Sequence, residues 1–305
     1  MFRKEIDDLL KLPPEELMAK ADKARAQHSG AKMELCSIIN AKSGLCAEDC
    51  KYCAQASRHK TGIETYPLKG EQAIVEAAER AKAIGAQKFG IVTSGDLLSK
   101  SELSVIAKAI TAITRDVGIK ACASLGGIGE HGLTMLKKAG LTRYHHNIET
   151  SPGYFDRIVT THRFEDRLRT IRAAKAAGLE VCSGGIIGMG ESQEDRIQMA
   201  LILKELNVDS VPLNVLMPIA GTPLENQRKI SSSELLKTIA LFRLILKDKP
   251  IKLAAGREAV LGDSQKTAFM AGANSMMIGG YLTTKGNAIE EDHALIKEVE
   301  QAWRT

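Results

Sequence analysis

The sequence predicts one (β/α)8 barrel of the TIM type, an α/β fold, preceded by a short helical extension. Three observations carry this. Eight short apolar segments alternate with eight segments of 3.6-residue periodicity. The repeat runs at about 30 residues per unit with no break in composition, and 305 residues suit one barrel of about 250 residues plus an appendage.

Two amphipathic stretches, 4–10 and 14–27, come first. The strand candidates follow as MELCSIIN at 33–40, KFGIVT at 88–93, IKACAS at 119–124, TRYHH at 142–146, LEVCS at 179–183, SVPLNVL at 210–216, IKLAA at 251–255 and SMMI at 275–278. Each is short, rich in β-branched or apolar residues, and bounded by polar or glycine-containing turns. The helix candidates are 71–84, 100–115, 130–139, 164–177, 192–206, 231–246, 264–271 and 288–303. Gly85, Gly118, Gly140, Gly178, Asn207 and Gly272 stand just past helix ends, where a left-handed residue closes the last turn. The expected units are therefore 1–32, the helical extension, and 33–305, the barrel. A doubly wound sheet is the competing architecture, but no GxGxxG follows the first strand; a long cysteine-bearing loop does.

Composition narrows the function classes. A net charge of +5, from 42 basic and 37 acidic residues, is too small and too scattered to imply nucleic-acid or membrane binding. No apolar run reaches the length of about 18 residues that a membrane span needs, and MFRKEIDDLLKLPPEE lacks a secretory h-region, so a cytoplasmic protein is expected. In a reducing compartment the six cysteines are inert core residues or metal ligands rather than a disulfide framework.

Cys46, Cys50 and Cys53 form C-x3-C-x2-C in the loop after the first strand, on the barrel face where active sites are built. Three thiolates so spaced can wrap one face of an iron-sulfur cubane and leave one iron open to an exogenous ligand. The alternatives are a zinc site, for which His59 is the only nearby fourth donor, and a chance cluster. Cys36, Cys122 and Cys182 lie inside strands one, three and five. Each alone reads as an ordinary buried cysteine. Because alternate strands share interior layers of a barrel, the three can converge below the loop motif, with Lys252 of strand seven completing the ring. A buried lysine needs a compensating anion, which a neighbouring cluster would supply; Lys252 is expected beside the cluster, not as its ligand.

The C-x3-C-x2-C motif in this place resembles the radical S-adenosylmethionine superfamily. The strings CSIINAKSGLCAEDCKYCAQASRHKTG, YHHNIETSP, VCSGGIIGMGE, VPLNVLMPIAGTPL and MAGANSMMIGGYLTT are similar to those of the biotin synthase family within it. The resemblance implies a 4Fe-4S cluster on Cys46, Cys50 and Cys53 whose open iron chelates S-adenosylmethionine, and reductive cleavage of that cofactor to a 5′-deoxyadenosyl radical. It also implies dethiobiotin as substrate, biotin as product, and sulfur drawn from an auxiliary iron-sulfur cluster. A flavodoxin- or ferredoxin-type electron donor and a homodimer are implied too, with mild basicity helping an acidic donor to dock. The same machinery acting on another small molecule is a second reading; a zinc-stabilised nucleic-acid-binding protein is a third.

By the same resemblance Cys46, Cys50, Cys53, Cys122 and Cys182 are the catalytic cysteines. Asn147 and Glu149 hold the cofactor's ribose, Arg167 its carboxylate, Ser94 and Gly95 its methionine moiety, and Tyr52 lies near the adenine. Asn214 stands between cofactor and substrate, Asn147 also reaches substrate, and Thr283 and Thr284 contact the substrate's polar groups. Glu149 departs from the family's usual aspartate. A larger departure concerns the auxiliary site. Familiar members use three cysteines and an arginine, but one of those cysteine positions is Gly90 here and the arginine position is Lys252. Cys36 takes the missing place, so Cys36, Cys122 and Cys182 are expected to hold an auxiliary cluster of the 4Fe type rather than 2Fe-2S, with one iron free for an extra sulfide. His145, His146 and His162 read as packing and surface residues, since radical hydrogen abstraction needs no general base.

Overall fold

A computed structural model describes residues 3–29 and 31–304. Met1, Phe2, Gly30 and Thr305, which belong to the two expected units, lie outside the described residues. Among the described residues nine strands are formed: β1 Glu34–Lys42, β2 Lys88–Thr93, β3 Lys120–Ser124, β4 Arg143–His145, β5 Glu180–Cys182, β6 Gly185–Ile187, β7 Val211–Val215, β8 Ile251–Leu253 and β9 Ser275–Met277. Their order is β5-β4-β3-β2-β1-β9-β8-β7-β6 and every ladder is parallel.

The ninth strand arises because the fifth pass of the chain is broken into β5 and β6 at Ser183 and Gly184. A Cβ on Gly184 would lie 1.9 Å from the Pro212 carbonyl oxygen, and one on Gly185 would lie 2.2 Å from that of Glu149. The two glycines thus let this pass press against both neighbours at once. Its lower half pairs with β4 and its upper half with β7, while single bridges at Cys182–Ser210 and Glu149–Gly185 tie the two halves to the opposite sides. The barrel expected from sequence is closed in this way.

Helices cover the outside. Ser99 and Ser192 cap Lys100–Ala112 and Gln193–Glu205, each accepting from the backbone N–H three residues on, a device that stabilises a helix by about 1 kcal/mol. The helix expected over 100–115 stops at Ala112 and ends in the wider turn Ile113–Val117, and the short helices Pro152–Phe155 and Arg257–Leu261 have no counterpart among the expected elements. The outward faces of the strands, including Phe89, Ile91, Ala121, Tyr144, Val181, Leu213 and Met276, pack under the helices in one buried core. Near the N-terminus, Pro14–His28 packs on Ser232–Leu246, and the Arg25 guanidinium lies 4.3 Å over the Trp303 ring. Among the described residues no helix is long and apolar enough to cross a membrane.

Register fixes which side chains face inward, because partners on adjacent parallel strands point the same way. Cys36 is opposite Lys88 and Met277, Cys122 is opposite Gly90 and Arg143, Cys182 is opposite His145, and Lys252 is opposite Pro212 and Ser275. All three strand cysteines therefore share the barrel interior with Lys252 and His145.

Candidate active site

A cavity of about 400 Å³ opens at the C-terminal ends of the strands. Cys46, Cys50 and Cys53 line it together with Tyr52, Ser94, Gly95, Asn147, Glu149, Arg167, Asn214, Thr283 and Thr284, so the structure brings these sequence-chosen residues to one cavity. Cys182 and Lys252 form part of the floor; Cys36 and Cys122, each at most 2% exposed, do not line the cavity and belong to the layer beneath.

The cysteine loop is shaped by its backbone. Gly44 has φ of 74°, and a Cβ there would meet Thr65 Oγ1 at 2.5 Å. Leu45 follows, also left-handed at φ 53°, which turns the chain toward Cys46 and leaves the Leu45 side chain 79% exposed. The Gly44 carbonyl accepts from Ser94 Oγ at 2.7 Å, and the amide of Cys46 donates to Gln55 O at 3.1 Å. At the far side Asp49 accepts from the Thr160 and Thr161 amides at 2.9 and 3.2 Å and from both threonine hydroxyls. Burial opposes ionisation of Asp49, but these donors hold its carboxyl well below the usual carboxylate range.

His59 turns Nδ1 to the Cys53 carbonyl at 2.9 Å and does not line the cavity. Among the described residues no three His, Cys, Asp or Glu side chains gather round a point that would hold one metal ion. Zinc needs its donors around one centre at about 2.0 to 2.3 Å. The thiolates of a cubane each bind a different iron, and Cys46, Cys50 and Cys53 all line this one cavity as soft sulfur donors. The donor set fits an iron-sulfur cluster. Burial pushes the Cys50 thiol up to about 12, with the Arg167 charge pulling the other way.

One wall carries a chain of charges. Arg167 Nη1 lies 3.9 Å from Glu149 Oε1, Arg167 Nε donates to His162 Nε2 at 3.1 Å, and His162 Nδ1 meets Glu48 Oε2 at 2.6 Å. Burial raises the Glu149 carboxyl above its ordinary value, against the Arg167 charge. Glu149 also has φ of 68°, one of four non-glycine residues with positive φ among those described. Such a backbone costs roughly 1 to 2 kcal/mol; of the four, Glu149 lines this cavity and Leu45 immediately precedes Cys46 of its lining. Asn147 donates to Glu149 Oε2 at 3.4 Å and accepts from Gly184 N at 3.2 Å; Asn214 accepts from Ala255 N at 3.3 Å. Ser94 spends its hydroxyl on Gly44. The loop of Thr283 and Thr284 is tied down by Asn40 Nδ2, which donates to Leu282 O at 3.2 Å, and by Tyr281 Oη, which donates to Glu258 at 2.6 Å.

Below the floor, Glu34 pairs with Lys88 and with Arg143 Nη1 at 3.2 Å, and Arg143 reaches Glu180 at 2.8 Å. Cys36 Sγ lies 4.0 Å from Glu34 Oε1, and Lys252 Nζ lies 4.0 Å from Cys182 Sγ. Burial pushes Cys122 up to about 12. Burial alone would discharge Lys252, but its interactions with the Cys182 and Cys36 sulfurs hold it above its ordinary value. Three thiols and a lysine thus form a coupled group inside the barrel.

The Radical SAM superfamily model matches residues 42–217, and the Biotin and Thiamin Synthesis associated domain matches residues 212–301. Biotin synthase of Thermotoga petrophila is 49% identical over 98% of this chain and 99% of its own length. That of Thermotoga neapolitana is 52% identical over 89% of this chain and 97% of its own. The chain belongs to the biotin synthase family. Two solved structures share the fold: methylornithine synthase (TM-score 0.81, 22% identity, 99% of this chain and 91% of that one) and the FeFe-hydrogenase maturase HydG from Carboxydothermus hydrogenoformans (TM-score 0.79, 21% identity, 93% and 71%). Membership of the radical SAM biotin synthase family makes a 4Fe-4S cluster and S-adenosylmethionine the cofactors.

Sequence reasoning passed over several wall residues. His145, His146 and His162, expected as packing and surface histidines, all line the cavity, as do Glu48 and Tyr281. The inward parity of β4 was available for His145; nothing local marks Glu48 or Tyr281.

Proposed function

We propose that this chain inserts sulfur into dethiobiotin to form biotin, replacing two C–H bonds by two C–S bonds, with each hydrogen leaving on a 5′-deoxyadenosine. The reading is carried by one observation: two thiol triads stand at successive depths of one barrel, with the cavity at the barrel mouth above the deeper one. Cys46, Cys50 and Cys53 hold the radical cluster. Cys36, Cys122 and Cys182 hold the auxiliary cluster, of the 4Fe type, and Lys252 compensates its charge without ligating. When bound, the upper cluster with S-adenosylmethionine supplies the 5′-deoxyadenosyl radical and the lower cluster supplies the sulfur.

The chain's own residues position and exclude. Glu149 and Asn147 accept the ribose hydroxyls, and Arg167, charged despite burial because Tyr52 and Glu149 face it, pairs with the cofactor carboxylate. The Ser94 and Gly95 backbone borders the methionine moiety, and Tyr52 packs near the adenine. Asn214 separates cofactor from substrate, and Thr283 and Thr284 bond the substrate's polar groups. Cys182 and Lys252 form part of the floor, with the ion pairs of Glu34 beneath, and would keep water from reaching a substrate carbon from below. A flavodoxin- or ferredoxin-type protein supplies electrons to a cytoplasmic homodimer, whose catalytic unit is 33–305 with 1–32 as its extension.

Incubation of anaerobically reconstituted protein with dethiobiotin, S-adenosylmethionine and a reductant is expected to yield biotin and 5′-deoxyadenosine. Deoxyadenosine without biotin or a thiolated intermediate would overturn the substrate assignment and leave the radical chemistry standing. Mössbauer spectra showing only a 2Fe-2S auxiliary centre would overturn the 4Fe assignment.

A further inference from the structure

The deeper layer of the barrel holds a fourth donor. Reading the inward positions in strand order gives Cys36 on β1, Gly90 on β2, Cys122 on β3, His145 on β4, Cys182 on β5 and Lys252 on β8. His145 is opposite Cys182 in the ladder and lies on the cavity wall with it. Its Nε2 is buried and, among the described residues, has no hydrogen-bond partner. Leaving such a group unpaired costs about 1 to 3 kcal/mol, so the position calls for a ligand that the chain itself does not supply. Gly90 makes the room: a Cβ there would already stand 3.7 Å from the imidazole Cε1, and any longer side chain would enter the ring's space.

We propose that His145 Nε2 is the fourth protein ligand of the auxiliary cluster, completing a Cys3His set with Cys36, Cys122 and Cys182. The assignment rests on the reading of those three cysteines as ligands of a 4Fe cluster, which leaves one iron without a thiolate. Lys252 cannot fill that corner, since an ammonium has no lone pair. An imidazole nitrogen in its neutral form carries the lone pair that binds iron. A neutral nitrogen among thiolates is also the weakest corner. Hydrosulfide can displace it by ligand exchange with no change of oxidation state. His145 thus closes the cluster when sulfide is absent and yields its place when sulfide loads.

The test is pulsed EPR on the reduced, reconstituted full chain without S-adenosylmethionine, whose amino nitrogen would otherwise contribute. Natural-abundance protein is compared with protein carrying 15N-histidine, and iron is counted by Mössbauer spectroscopy. A directly bound nitrogen whose coupling changes on 15N labelling, disappears in His145→Ala and His145→Asn, and weakens on adding sulfide is expected. Added imidazole should restore it in His145→Ala. Circular dichroism and thermal midpoints of the apo variants verify that they fold. Two 4Fe centres with no histidine-derived coupling would overturn the assignment and spare the auxiliary-cluster reading; a single 4Fe centre would overturn both.

Discussion

Cys46, Cys50 and Cys53 lie within eight residues on a loop, whereas Cys36, Cys122 and Cys182 come from three strands of the sheet. The loop triad is held by individual hydrogen bonds: Ser94 to Gly44, Cys46 to Gln55, and Asp49 to Thr160 and Thr161. The strand triad is held by register. A loop site can be loosened without disturbing the fold; a strand site is as rigid as the barrel. That contrast suits a cofactor that must be exchanged above and a sulfur donor that must stay in place below.

The largest predicted effect separates the two triads. Cys50→Ala should abolish both deoxyadenosine and biotin formation. Cys36→Ala should reduce biotin to background and remove the auxiliary iron, while cleavage of S-adenosylmethionine to deoxyadenosine continues. Loss of deoxyadenosine in Cys36→Ala, with the loop cluster intact by EPR, would show that the two sites are not separable.

Next comes the loop anchor. Asp49→Asn removes the charge that four donors hold, and the loop site's iron affinity should fall about 10- to 100-fold, the range typical of groups that orient metal ligands. Iron in the strand triad should be unchanged. Titration of apoprotein with iron and sulfide, read by absorbance for each triad in the other's alanine variant, measures both.

A pH experiment tests burial at both depths. Cys50 and Cys122 are each raised by burial from 9.0 to about 12. A thiol held neutral in the folded state contributes stability that is present below pH 9 and lost as pH rises toward 12, because the unfolded chain releases the proton first. The loss should be about 1.4 kcal/mol per pH unit for each thiol over that window. Urea melts of apo Cys122→Ser against the parent chain should show a shallower decline above pH 9. Cluster loading runs the other way, improving as pH rises, since each ligand must lose its proton.

The two triads also differ in how visible they are in the sequence. The loop motif is local, so spacing alone found it, and strand alternation was enough to bring Cys36 to Cys122 and Cys182. What stayed hidden depends on contacts between distant segments. Gly184 and Gly185 fall outside the strand expected over 179–183, yet they are the point where one pass changes partners and the barrel closes. Glu149 was legible as a strand-end carboxylate, but its left-handed backbone is set by pairing with Gly185. His145 looked like a packing residue because the unpaired nitrogen that marks it appears only once the surrounding donors are placed.

The smallest effect probes the space between the triads. Gly90 has an ordinary negative φ, so alanine there fits the backbone and should gain about 0.4 to 1 kcal/mol from the less flexible unfolded chain. Against this, the new methyl would meet Ile38 Cγ2 at 3.1 Å, closer than an undisturbed contact. Ile38 lines the cavity and has open space on its far side, so it can shift by the few tenths of an ångström required. The two effects nearly cancel, and the thermal midpoint of Gly90→Ala should stay within about 2 °C of the parent chain, given that 1 kcal/mol moves a large domain by roughly 2 to 4 °C. At 3.7 Å the methyl only touches the His145 ring, so the auxiliary-cluster spectrum should be preserved. Gly90→Val places a branched side chain in the imidazole's space and should shift that spectrum while the loop cluster's signal is unchanged. An unaltered auxiliary spectrum in Gly90→Val would mean that the cluster does not depend on where His145 stands.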